Sequence, residues 1–257
     1  MPQPPIQPSA PEPVRDGVRD LLSLLYAPYN GLVVMPFFGA STLFWGVMAV
    51  LTSQISPRVG FHCGTVWAWS TCRVNFNRVR VHGRERADPR QSYVMMSNHQ
   101  SHFDTLAFYG HWGRQFRWVI KEELRKVPGL GWGCDAVGHI FIDRSNRQAA
   151  MASLREAQRK LPPGVSIMIF PEGKRSPDGK LQPFKRGGFV MAQELGLPIL
   201  PLTIRGTGRV LPKNSLRLLP GRIDIVVHDP IDPAAYGSDG RDQLVADVRA
   251  AIESGLA

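Results

Sequence analysis

Cysteine is scarce in these 257 residues and follows no pattern: Cys63, Cys72 and Cys134 are odd in number, far apart and in no Cys-x-x-Cys pair. Neither a zinc site nor a disulfide framework is indicated, so a reducing, cytosol-facing surrounding is expected. No internal repeat is visible, and the N-terminus lacks the basic start and apolar core of a signal peptide. The longest gap is in charge. From Leu21 to Pro57 there is no Asp, Glu, Lys or Arg.

Within that gap, "GLVVMPFFGASTLFWGVMAVL" (31–51) has about the length that one bilayer crossing needs, roughly 20 residues. Pro36, Gly31, Gly39 and Gly46 weaken it as a regular span. A full crossing and a broken helix dipping into one leaflet therefore both stay open, as does a buried helix of a soluble protein. Arg15 and Arg19 are offset by Asp16 and Asp20, whereas Arg58, Arg73, Arg78 and Arg80 follow with no acid before Glu85. By the positive-inside tendency the C-terminal flank, and the domain after it, face the cytosol at the cell membrane. The stretch 59–74, with Trp67 and Trp69, suits the headgroup layer.

Elsewhere charge is plentiful. Thirty-one Lys and Arg against 21 Asp and Glu give a net +10, which attracts phosphate-bearing partners. The uncharged segment argues against nucleic acid as that partner. The expected organisation is a proline-rich disordered tail (1–20), a membrane-associated helical segment (21–75) and a catalytic domain (76–257).

Beyond residue 75, short apolar runs alternate with amphipathic ones. Strands are expected at 79–81, 93–97, 116–120, 140–142, 165–170, 199–204 and 222–227. Ala150, Leu154, Ala157 and Leu161 mark one face of a helix over 146–161. Residues 187–196 form another, closed by Gly196 with Pro198 beyond, and Leu244, Val248 and Ile252 a third. The fold class this implies is α/β: a mixed, largely parallel sheet flanked by helices, preceded by the membrane-associated helical segment.

"SNHQSHFDT" (97–105) sets His99 five positions before Asp104. In one helix, five steps of about 100° would turn the two side chains onto different faces. They meet only if His99 lies in the loop after a strand and Asp104 in the first turn of a helix capped by Ser101. Ser101-x-x-Asp104 also fits a capping box, in which Asp104 serves helix amides alone. His102, three positions from His99, has no third ligand at a usual spacing, so no metal site is expected.

Four ordered blocks bear on these readings. "NHQSHFD" resembles the His-x4-Asp signature of the glycerolipid acyltransferases, and "GHIFIDR" (138–144), "FPEGKRS" (170–176) and "LPILPLTIRGT" (197–207) resemble the family's other three. "KEELRKVPGLG" (121–131) resembles the stretch that links the first two, and "NHQS" is closer to the 1-acylglycerol-3-phosphate acyltransferase branch than to the enzymes that acylate glycerol 3-phosphate itself. Lys174 stands where that family usually has Thr.

The resemblance implies transfer of a fatty acyl group from acyl-CoA or acyl carrier protein to a lysophospholipid hydroxyl at a membrane, with no cofactor. His99 is then the general base and Asp104 its orienting acid. Arg175, Arg144 and Lys121 supply cations for an acceptor phosphate beside Glu172 and Gly173, and amides around Pro171–Gly173 face the thioester oxyanion. Acylation of another lysolipid, such as a lyso-ornithine lipid, and a catalytically silent lipid-binding role stay open.

Overall fold

The computed structural model describes residues 17–143, 147–213, 218–237 and 239–256. Most of the proline-rich tail, and Arg144, fall outside the described residues. Helix α1 (Gly17–Tyr29) takes in the last four positions assigned above to the tail. It runs through a π-type turn at Asn30–Val34 into α2 (Met35–Ser53), so that 33 residues, Leu21–Ser53, form one long apolar helix. The widened turn falls where Pro36 has no N–H to give the carbonyl four positions back. After Gln54 and Ile55, the Ser56 hydroxyl accepts the Arg58 N–H at 3.2 Å and starts α3 (Pro57–Val74), which folds back along α2.

The α/β part then begins. β1 (Arg78–His82) and β2 (Val94–Ser97) lead into α4 (Phe103–His111), β3 (Phe116–Lys121), α5 (Leu130–Ala136) and β4 (Ile140–Ile142). α6 (Arg147–Arg159), β5 (Ser166–Ile169), α7 (Gly187–Leu195), β6 (Ile199–Arg205), the single turn α8 (Thr207–Val210), β7 (Arg222–Val227) and α9 (Arg241–Ser254) complete it. Each strand expected from sequence is present to within a residue or two. Gly196 closes α7 with φ +59°, a left-handed position that suits glycine.

The sheet order is β1-β7-β6-β2-β5-β3-β4. The five strands from β6 to β4 are parallel, while β7 pairs antiparallel with β6 and carries β1 alongside it. Parallel strands covered on both faces must be apolar on both, which explains "VMMS" and "SIMI" where alternation fails. Met95, Met168 and Leu200 face one core with Phe103 and Phe108 of α4. Val94, Met96, Ile167 and Ile199 face the other, with Phe189 of α7 and Leu244, Val248 and Ile252 of α9. Each of these large side chains contributes about 1.5–3 kcal/mol over its exposed state.

Helix α4 carries the chain from β2 across one face towards β3, and α7 carries it from β5 across the opposite face towards β6. Neighbouring strands β2 and β5 thus send their connections opposite ways. A crevice opens beyond their carboxyl ends, the usual ligand position in such sheets.

The hairpin of α2 and α3 is packed onto this sheet domain, not strung ahead of it. A Cβ on Gly46 would run into the Gly129 carbonyl, and one on Gly60 into the Ser53 side chain. Phe61, Ala68 and Cys72 of α3 join the core that holds α4. The opposite side keeps Leu43, Phe44, Val47 and Leu51 of α2 exposed, with Val59, Val66 and Trp69 of α3. Six of the 16 residues in the 59–74 stretch are therefore buried. The same fold-back places Arg58 and Arg73 at opposite ends of α3, so they do not form one basic flank.

Candidate active site

Strand β2 ends at Ser97, and Asn98 fixes the turn that follows. Its side-chain oxygen accepts the Ile204 N–H at 2.8 Å and its amide donates to the Ile204 carbonyl at 2.7 Å, which ties the loop to β6. Ser101 caps the next helix as expected, accepting the Phe103 N–H at 3.1 Å, and its hydroxyl donates to the Leu211 carbonyl at 2.7 Å. His99 is consequently outside the helix and Asp104 in its first turn, the one arrangement that lets them meet.

They do meet. His99 Nδ1 lies 2.7 Å from Asp104 Oδ2. An ionised carboxylate only accepts, so Nδ1 carries the proton and Nε2 keeps its lone pair. The same Oδ2 accepts the Gln100 and Ser101 N–H groups at 2.7 and 2.9 Å. The capping reading and the pairing reading hold together: one buried oxygen takes the two amides of the loop that enters the helix and the imidazole. Asp104 Oδ1 is buried with no partner among the described residues.

The loop after β5 forms the other wall. Phe170 stacks on the His99 ring with centroids 3.9 Å apart and planes 8° from parallel, and Trp118 stacks behind Phe170 at 5.3 Å. Glu172 Oε1 accepts the His99 N–H at 2.7 Å and its Oε2 the Gln182 N–H at 2.8 Å. Ser176 N–H donates to the His99 carbonyl at 2.7 Å. Both backbone groups of His99 are thereby held. The Glu172 carboxylate is buried, which pushes its pKa up, while the Gln182 and His99 amides pull it back. Glu172, grouped above with the phosphate-binding residues, spends both oxygens on main-chain N–H groups.

The other expected site residues have contacts of their own. The Gly173 N–H closes a turn onto the Phe170 carbonyl at 3.0 Å, and Pro171 has no N–H to offer an oxyanion. Lys121, at the end of β3, is ion-paired with Glu123 at 2.6 Å, both side chains more than half exposed. Such a pair contributes about 0–1 kcal/mol and does not fix Lys121 in place. Arg175 is half-buried beside His102, whose pKa is lowered first by burial and then by Arg175 and His99. Sequence reading missed Asn98, Phe170, Ser176 and Gln182. Only Asn98, a short amide just after a buried strand, left any signal.

Beneath the α2–α3 hairpin, on the α4 side of the sheet, lies a small, partly open apolar pocket lined by Trp45, Gly46, Trp67, Tyr109, Gly133 and His139. No group of three or more His, Cys, Asp or Glu side chains among the described residues could hold a metal ion.

The acyltransferase family model matches residues 78–205, a span from β1 to β6 that includes the whole crevice. A 1-acyl-sn-glycerol-3-phosphate acyltransferase of Chlamydomonas reinhardtii is 30% identical over 251 residues, 96% of this chain and 73% of that protein. The enzyme of the same name from Pseudomonas aeruginosa is 31% identical over 222 residues, 84% of each chain. Among solved structures, the 1-acyl-sn-glycerophosphate (LPA) acyltransferase from Thermotoga maritima superposes with a TM-score of 0.75 at 29% identity, over 92% of this chain and 95% of that one.

Proposed function

Because the chain belongs to the acyltransferase family, we propose that it transfers a fatty acyl group from acyl-CoA or acyl carrier protein to the free hydroxyl of 1-acylglycerol 3-phosphate, giving phosphatidate. The observation that carries this reading is the 2.7 Å bond between His99 and Asp104 at the mouth of the β2/β5 crevice. His99 Nε2 takes the hydroxyl proton as the oxygen attacks the thioester carbonyl. Asp104 favours the imidazolium that forms, and the proton passes to the departing thiolate as the C–S bond breaks. No covalent acyl-enzyme is needed. The relatives' names supply the acceptor, and Arg175 supplies a cation near His99 for its phosphate.

The exposed apolar side of α1 and α2, with Trp69 of α3, suits insertion into a bilayer surface. Docking of α2 along the domain favours one leaflet over a crossing, because a helix packed against a globular domain cannot leave it to span the bilayer alone. The crevice then opens on the cytosolic face of the cell membrane.

The deciding experiment offers the purified protein lysophosphatidate, a lyso-ornithine lipid and monoacylglycerol with a labelled acyl donor. Labelled phosphatidate as the dominant product is the expected result. Preference for the phosphate-free acceptors would overturn the acceptor assignment while leaving the chemistry at His99 in place.

A further inference from the structure

Proton removal by His99 leaves a positive charge on the imidazole, so what surrounds that ring sets how easily the charge forms. Asp104 meets it at one edge, through Nδ1. A second contact covers a whole face. Met96 and Ile169 are register partners near the ends of the parallel strands β2 and β5, which puts Phe170 one residue past β5 and His99 two residues past β2. There the two rings stack with centroids 3.9 Å apart and planes 8° from parallel. Neutral aromatic pairs settle edge-to-face or offset, with centroids about 4.5–7 Å apart, because the negative faces of two rings repel. Of the ring pairs among the described residues, the next closest, Phe61 and Tyr109, is 4.8 Å apart. Stacking as close and as flat as that of His99 on Phe170 suits a pair in which one ring becomes positively charged.

Phe170 is itself held for this contact. Trp118 of β3 stacks behind it at 5.3 Å with planes 27° apart, and the Phe170 carbonyl accepts the Gly173 N–H at 3.0 Å. The Trp118 Nε1 is buried without a partner among the described residues, so packing and not a hydrogen bond places this indole. The His99 side chain is only 16% exposed. With little water against the ring, attraction between a cation and an aromatic face is stronger than at an open surface. A parallel stack also leaves the ring edge that carries Nε2 uncovered, so the contact and proton transfer do not compete.

We propose that Phe170 stabilises the imidazolium formed on His99 through the negative face of its ring, and so is a positioning residue for acyl transfer and not only a wall of the crevice. Asp104 and Phe170 then act on different parts of the imidazole: the carboxylate sets the tautomer from the edge, and the phenyl ring sets the plane and attracts the charge from the face. This rests on the general-base reading of His99 above. A face contact that strengthens only when the imidazole is charged lowers the barrier without tightening substrate binding, so it is read in kcat and not in KM.

The test changes the charge on the Phe170 face with little change of shape. Phenylalanine bearing one, two and three ring fluorines replaces Phe170, each fluorine drawing electron density from the face, and Phe170→Leu removes the face altogether. Acyl transfer to lysophosphatidate is followed with labelled acyl-CoA beside wild type and His99→Ala, with circular dichroism matched. The kcat should fall in steps with each fluorine, by about tenfold at three, and at least as far in Phe170→Leu, while the KM values for acceptor and donor stay within about twofold. A kcat that ignores the fluorines overturns the assignment even where Phe170→Leu is slow, since packing alone accounts for that loss. A change confined to KM overturns it too. Either result leaves the general-base reading intact when His99→Ala is inactive, whereas His99→Ala at the wild-type rate sinks both.

Discussion

At the scale of single residues, the site depends on acceptors that each serve more than one donor. Asp104 Oδ2 takes an imidazole and the two loop amides of Gln100 and Ser101, and Glu172 takes two main-chain amides from separate segments. Glu172→Gln supplies one oxygen for two donors, so a buried N–H is left facing an NH2 group. The expected cost is about 1–3 kcal/mol of stability, read by chemical denaturation, together with a fall in kcat as the His99 loop loosens. Unchanged stability and rate would show that Glu172 does not hold this loop. The His99–Asp104 geometry was legible in sequence because helical periodicity leaves a five-residue spacing only one way to close. The role of Glu172 was not: a carboxylate between Pro171 and Gly173 in a loop looks alike whether it faces a ligand or the main chain, and burial decides.

At the scale of elements, seven strands and the amphipathic helices could be read from apolar periodicity, since each has one dominant burial requirement. The N-terminal helices could be read only in part. A run without charge marks an apolar surrounding but does not distinguish lipid from protein, and α2 has both: Gly46 and Ala49 against the domain, Phe44 and Leu51 outward. Small residues at a helix contact are the sign of close packing that distinguishes the two sides. Phe44→Glu with Leu51→Glu should lower vesicle binding by at least tenfold without lowering the melting temperature, because neither side chain is in the core. Loss of the fold in step with loss of binding would mean that this face is buried against protein.

At the scale of the whole molecule, the sheet order places His99 and Glu172 on adjacent strand ends although 73 residues separate them. No local pattern reveals that neighbourhood; the crossovers of α4 and α7 create it. One buried histidine away from the crevice also ties stability to pH. His139 Nδ1 accepts the Trp118 N–H at 3.1 Å, its Nε2 is buried without a partner among the described residues, and burial beside Arg117 lowers its pKa to about 3. Unfolding lets this ring take a proton below its ordinary value near 6.5, so the folded state should lose stability as pH falls from about 6.5 towards 3. The slope from this one group approaches 1.4 kcal/mol per pH unit. His139→Gln should flatten the decline measured by denaturation between pH 7 and 5, and an unaltered slope would assign the loss to other groups.

The account as a whole stands on proton removal by His99, and the rate of labelled acyl transfer to lysophosphatidate by His99→Ala tests it most directly, with vesicle binding and circular dichroism matched to the wild type. The rate should fall by a factor of about 10²–10⁴. A variant that keeps more than half of the wild-type rate would contradict the mechanism.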